Sequence, residues 1–67
     1  MISHDTVDIV IIEDDPVIRD WLATVINSSP GFSCVGQYGD GDAALARLTE
    51  ASPDVVLMDL YQLHAER

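Results

Sequence analysis

Two apolar runs stand out along the chain, and each ends abruptly in acid. Val7-Asp8-Ile9-Val10-Ile11-Ile12 leads into Glu13-Asp14-Asp15, and Val55-Val56-Leu57-Met58 leads into Asp59. Short aliphatic runs of this kind, the second preceded by Pro53, predict strands near 7–12 and 55–59, buried on both faces. Between them, Val17, Ile18, Trp21, Leu22, Val25 and Ile26 recur at helical spacing. They predict a helix near 16–27 with one apolar stripe, from which Arg19, Asp20 and Asn27 fall away. Asp15-Pro16 supplies its start, because the carboxylate can cap orphan amides and proline has no amide to satisfy. Asn27-Ser28-Ser29-Pro30-Gly31 stops the helix and turns the chain.

Phe32 to Tyr38 predicts a weaker strand near 32–38, and its glycine and polar alternation suit a sheet edge. Gly39-Asp40-Gly41-Asp42 reads as a loop, with Asp42 a candidate cap. A second helix near 42–51 is carried by Ala44, Leu45 and Leu48, with Arg47 and Glu50 outward. Ser52-Pro53 ends it. The order β-α-β-α-β predicts an α/β fold with a parallel sheet and right-handed crossovers. The carboxyl edge of such a sheet is where open α/β folds place their chemistry. Glu13, Asp14 and Asp59 are therefore expected to converge there. The strand ending in Asp59 would have no outer neighbour, and an exposed apolar edge invites pairing with another chain.

Composition narrows the function classes. With 67 residues the chain is one domain at most, and 48% hydrophobic content is enough to attempt a core. The formal charge is −9, from 12 acids against three arginines and no lysine, which argues against direct nucleic acid binding. Cys34 is single, so no internal disulfide can form; its apolar neighbours suit a small core residue in a reducing cytoplasm. No stretch is long and apolar enough to cross a bilayer, and the N-terminus lacks the pattern of a signal peptide. A cytoplasmic protein without membrane contact is expected.

Three carboxylates at one sheet edge repel each other unless a cation or a proton sits among them. Hard oxygen donors suit Mg²⁺, and a carboxylate beside that ion can attack a phosphoryl group to form an aspartyl phosphate. The plainer reading, that Glu13-Asp14-Asp15 merely caps a helix, is weakened by Asp59 at the end of a second buried strand. Asp40 and Asp42 read as loop and cap residues, Met58 and Trp21 as core. His4 and His64 lack metal-ligand spacing and read as surface. No phosphate-binding glycine loop and no Ser-His-Asp or Cys-His set can be assembled.

Ile9 through Arg19, with its Glu13-Asp14-Asp15-Pro16 core, and Pro53 through Leu60 together resemble the receiver domain of two-component response regulators. The resemblance runs from about residue 7 to residue 60, and Gly39 through Leu45 resembles the family's entry to its second helix. It implies part of a flavodoxin-like sheet, of which a full receiver has five strands in the order 2-1-3-4-5. It further implies that Asp59 is the phosphoacceptor, charged by a sensor histidine kinase. Glu13 and Asp14 would bind Mg²⁺ together with Asp59 and the backbone carbonyl of Tyr61, with Asp14 the direct ligand of the acidic pair.

The chain departs from the family at Leu60-Tyr61-Gln62-Leu63-His64, where receivers usually turn through Pro-Gly, and residues 61–67 form an atypical tail. The hydroxyl residue and lysine of the family's later strands have no counterpart. The expectation is a truncated receiver over residues 1–67, not itself an enzyme, in which phosphorylation and output are impaired. The alternative is a non-catalytic interaction or dimerisation fragment that sequesters a kinase or another receiver through the exposed sheet edge. A phosphohydrolase is disfavoured, because the second acid such enzymes generally carry two residues after the first is absent.

Overall fold

The computed structural model describes residues 6–58. The elements are β1 (Val7–Ile12), α1 (Pro16–Asn27), β2 (Phe32–Tyr38), α2 (Gly41–Ala51) and β3 (Val55–Met58). The three strands form one parallel sheet in the order β2-β1-β3. This is the α/β arrangement expected from the sequence, with β2 at an edge and β1 in the middle, and it corresponds to part of a flavodoxin-like receiver fold. The chain steps from β1 to β2 on one side, then crosses back to β3 on the other. Right-handed crossovers of opposite direction put α1 and α2 on opposite faces of the sheet.

Helix α1 starts as its sequence dictates. Asp15 adopts an extended conformation and its Oδ1 accepts from the amides of Val17 and Ile18 at 2.9 and 3.3 Å, with Pro16 at the first helical position. Helix α2 starts one residue earlier than expected, and its cap is Asp40, whose Oδ1 accepts from the Ala43 amide at 2.8 Å. Asp42 lies in the first turn instead, where its charge still complements the helix N-terminus. The helix ends at Ser52 in the left-handed region, φ 45°.

The core centres on β1. Ile9, Val10, Ile11 and Ile12 are all buried, and Val10 and Ile12 pack with Ala44, Tyr38 and Leu48 beneath α2. Two expectations about the core fail for one reason. Strand β3 is not buried on both faces: Val55, Val56, Leu57 and Met58 are each 40–44% exposed. Nor is Trp21 a core residue, being 62% exposed, while Val17, Ile18 and Val25 are exposed as well. Helix α1 rests on β1 and β2 through Ala23, with Leu22 and Ile26 half-buried, so only one flank of its apolar arc is covered. The other flank looks toward β3, beyond which no further described strand or helix lies. Ala23, which the apolar stripe passes over, is the buried residue of the helix.

Strand β2 carries an irregularity that its sequence does not announce. Ile9 pairs with Cys34 and Val10 with Gly36, so Val35 is an extra residue bulged out of the ladder. Gly36 is required there by a close approach: a Cβ on it would stand 2.9 Å from the Tyr38 ring. Cys34 is half-buried, and its amide donates to Asn27 Oδ1 at 2.9 Å, tying the end of α1 to β2.

Candidate functional site

The site lies at the carboxyl ends of β1 and β3. The two strands run parallel in register, Ile9 with Val55 through to Ile12 with Met58. Glu13 follows Ile12 in the chain, and Asp59 follows Met58. Asp59 and Tyr61, both expected at the site, lie outside the described residues, as do His4 and His64. Glu13 and Asp14 are described, and they differ sharply. Glu13 is 3% exposed, the one charged side chain among the buried described residues. Its amide donates to the Tyr38 carbonyl at 3.0 Å, continuing the β1–β2 ladder one step past the strand. Its Oε2 accepts from the Asp15 amide at 3.0 Å. Asp14 is exposed and its carboxylate takes no hydrogen bond from a described residue, so it faces solvent at the sheet edge.

Arg19 is the residue the sequence reading undervalues. Its Nη1 donates to the Glu13 carbonyl at 2.8 Å, and the side chain is half-buried. On a helical wheel Arg19 shares the covered side of α1 with Leu22, Ala23 and Ile26, one turn after the cap. A hydrophobic stripe cannot reveal such a position, because a guanidinium is drawn inward only where a specific acceptor meets it. A groove of about 300 Å³ opens beside the acids, lined by Ile12, Glu13, Ile18, Leu22, Leu57 and Met58. It is apolar apart from Glu13.

The described donor set is two carboxylates, one buried and hydrogen-bonded, one exposed, on consecutive residues. Both offer hard oxygen, which fits a hydrated Mg²⁺ bound through one or two acids and several waters. Among the described residues no group of three His, Cys, Asp or Glu side chains is close enough to hold an ion without further ligands.

Comparison with known proteins identifies the family. The family model for the response regulator receiver domain matches residues 9–62. The chain is 34% identical over 55 residues to a protein-glutamate methylesterase/protein-glutamine glutaminase of Nitrosospira multiformis, covering 82% of this chain and 16% of that protein. It is 38% identical over 58 residues to protein-glutamate methylesterase/protein-glutamine glutaminase 2 of Anaeromyxobacter dehalogenans, covering 87% and 17%. It is 31% identical over 58 residues to the uncharacterized transcriptional regulatory protein YxjL of Bacillus subtilis, covering 87% and 27%. No solved structure gives a significant match.

The chain belongs to the response regulator receiver domain family of two-component signalling. It spans about a sixth of the length of the methylesterase relatives it matches. No helix among the described residues is long and apolar enough to cross a membrane.

Proposed function

We propose that this chain is a phosphoacceptor of two-component signalling, receiving a phosphoryl group on Asp59 from a sensor histidine kinase. The observation that supports this most is the register of β1 on β3, which pairs Ile12 with Met58 and so brings the chain into Glu13 and Asp59 from neighbouring strands. In the transfer, an Asp59 carboxylate oxygen attacks phosphorus, the bond from phosphorus to the donor group breaks, and an acyl phosphate remains. Glu13 and Asp14, with Asp59 and the Tyr61 carbonyl, would hold Mg²⁺. That ion offsets the charge of the acids and of the incoming phosphoryl oxygens. Buried Glu13 serves as the fixed member of the pair and exposed Asp14 as the direct ligand. The chain itself is not an enzyme in this reading; it acts in the cytoplasm, with no nucleic acid or membrane as its own partner.

The test is intact mass after incubation with a small acyl phosphate, with and without Mg²⁺, on wild type and on Asp59→Ala. One phosphoryl adduct that needs both Asp59 and the metal is the expected result. A chain that is folded by circular dichroism and yields no adduct would sink the proposal.

A second reading, an interaction fragment that pairs through its sheet edge, is favoured by the even exposure of all four β3 residues. It predicts concentration-dependent association in sedimentation velocity that Val56→Lys abolishes. A monomer at every concentration in wild type excludes self-pairing.

A further inference from the structure

Hydrogen bonds hold the segment from Glu13 to Asp15 on either side of Asp14, whose own carboxylate takes none from a described residue. The Glu13 amide is bound to the Tyr38 carbonyl, its Oε2 to the Asp15 amide, and its carbonyl to Arg19. Asp15 is tied in turn to the first turn of α1 by its side chain, and its carbonyl accepts from the Arg19 amide at 2.9 Å. Arg19 thus grips both ends of this short segment, one through its backbone and one through its guanidinium. The same guanidinium lies against Gly39, 3.4 Å from where a Cβ on that residue would stand. It therefore sits between the loop leaving β1 and the loop leaving β2.

The charge of Arg19 is not engaged in an ion pair with a described residue. Among the described residues the one ion pair is Arg47 with Glu50, on the exposed surface of α2. Arg19 instead directs a cation at a carbonyl dipole beside three consecutive acids. Two consequences of opposite sign follow. A positive charge close to a metal site weakens cation binding by Coulomb repulsion. A clamp on the ligand-bearing backbone strengthens it, because the ordering of that backbone does not then oppose binding.

We infer that Arg19 is a positioning residue which, by holding the Glu13 carbonyl, presets the Asp14 carboxylate for a divalent cation, and that this clamp outweighs the repulsion of its charge. The inference rests on the phosphoacceptor reading for the identity of the cation, but the clamp itself is a property of the metal-free chain. Arginine suits the task because its fork reaches back one turn while its stem covers apolar surface.

The experiment compares wild type, Arg19→Met and Arg19→Lys in two measurements on the full chain. Calorimetric titration with Mg²⁺ at fixed ionic strength should show Arg19→Met binding roughly tenfold more weakly, the range usual for residues that orient metal ligands. Arg19→Lys, which keeps one donor for the single carbonyl, should return most of that loss. Amide hydrogen exchange on the metal-free chain should show faster exchange at Glu13 and Asp15, whose amides are hydrogen-bonded, in Arg19→Met, with the amides of residues 22–27 unchanged. Tighter Mg²⁺ binding by Arg19→Met would mean that repulsion dominates and would overturn the inference. Unchanged affinity with a lowered melting temperature would reduce Arg19 to a structural residue and overturn it equally. Should Arg19→Met not fold, Arg19→Gln replaces it under the same criteria. A wild-type chain that binds no Mg²⁺ refutes the phosphoacceptor reading and the metal half of this inference, while the exchange result still decides whether Arg19 holds the loop.

Discussion

Asp8 and Asp54 are joined by two reciprocal hydrogen bonds. The Asp8 amide donates to Asp54 Oδ2 at 2.8 Å, and the Asp54 amide donates to the Asp8 carbonyl at 2.8 Å. The pair stands immediately before the first β1–β3 register partners, Ile9 and Val55. It closes the ladder at the end of the sheet opposite the acids. A slip of one residue in this ladder would send every side chain of β3 to the other face. It would also take Met58 away from Ile12, and with it the alignment of the strand that leads into Asp59. Two like-charged residues therefore help set the register on which the proposed site depends, through one carboxylate and three backbone groups.

Asp54→Ala removes one acceptor and leaves the Asp54 amide bond in place. The loss should be about 1 kcal/mol, the ordinary net contribution of one hydrogen bond. Asp54→Asn keeps a carbonyl acceptor and should lose less than half of that. Urea unfolding followed by circular dichroism measures both. Equal destabilisation by Asn and Ala would mean that the charge, not the hydrogen bond, is what β3 needs.

Gly36 and Tyr38 form a second coupled pair. A methyl on Gly36 meets the Tyr38 ring at 2.9 Å, and that ring is packed on Val10, Ile12 and Ala44. Gly36→Ala should cost roughly 1–3 kcal/mol, as overpacking does. Combining it with Tyr38→Leu should give a loss smaller than the sum of the two single losses, since the leucine leaves room for the methyl. Strict additivity would show that the methyl and the Tyr38 ring do not meet in the folded protein.

Residue size misleads about where stability lies. Ile11 is fully buried in the central strand, whereas Trp21 is 62% exposed on α1. Ile11→Ala should therefore lower stability by roughly 2–5 kcal/mol, the usual cost of such a cavity. Trp21→Ala should cost under about 1 kcal/mol, because most of the indole is already in water. Unfolding midpoints of the two variants decide this, and a larger effect at Trp21 would mean that a partner covers α1 in solution.

Much of the fold was legible because its signals are local. The caps at Asp15 and Pro16, the turn through Pro30-Gly31 and the aliphatic runs of β1 and β3 act through neighbours in the chain, so their boundaries could be read within a residue. Glu13 and Asp14 were legible as site candidates for a similar reason: carboxylates crowded at the end of a buried strand are costly unless a cation or hydrogen bonds hold them there. The sequence did not reveal which of the two would be buried, since that depends on the Tyr38 carbonyl and the Asp15 amide closing around Glu13.

Sequence alone determined the elements, their order and the parallel topology, because hydrophobic period and crossover handedness leave few alternatives. Tertiary structure alone decided how far each apolar face is covered. Helix α1 carries an apolar arc wider than the sheet beneath it, so Trp21 faces water and Ala23 is the buried residue of the helix. It also decided that Asp40 and not Asp42 caps α2, that Val35 bulges from β2, and that Arg19 turns back onto Glu13. Each of these depends on which atoms of separate elements meet in space. Periodicity along the chain carries no record of that.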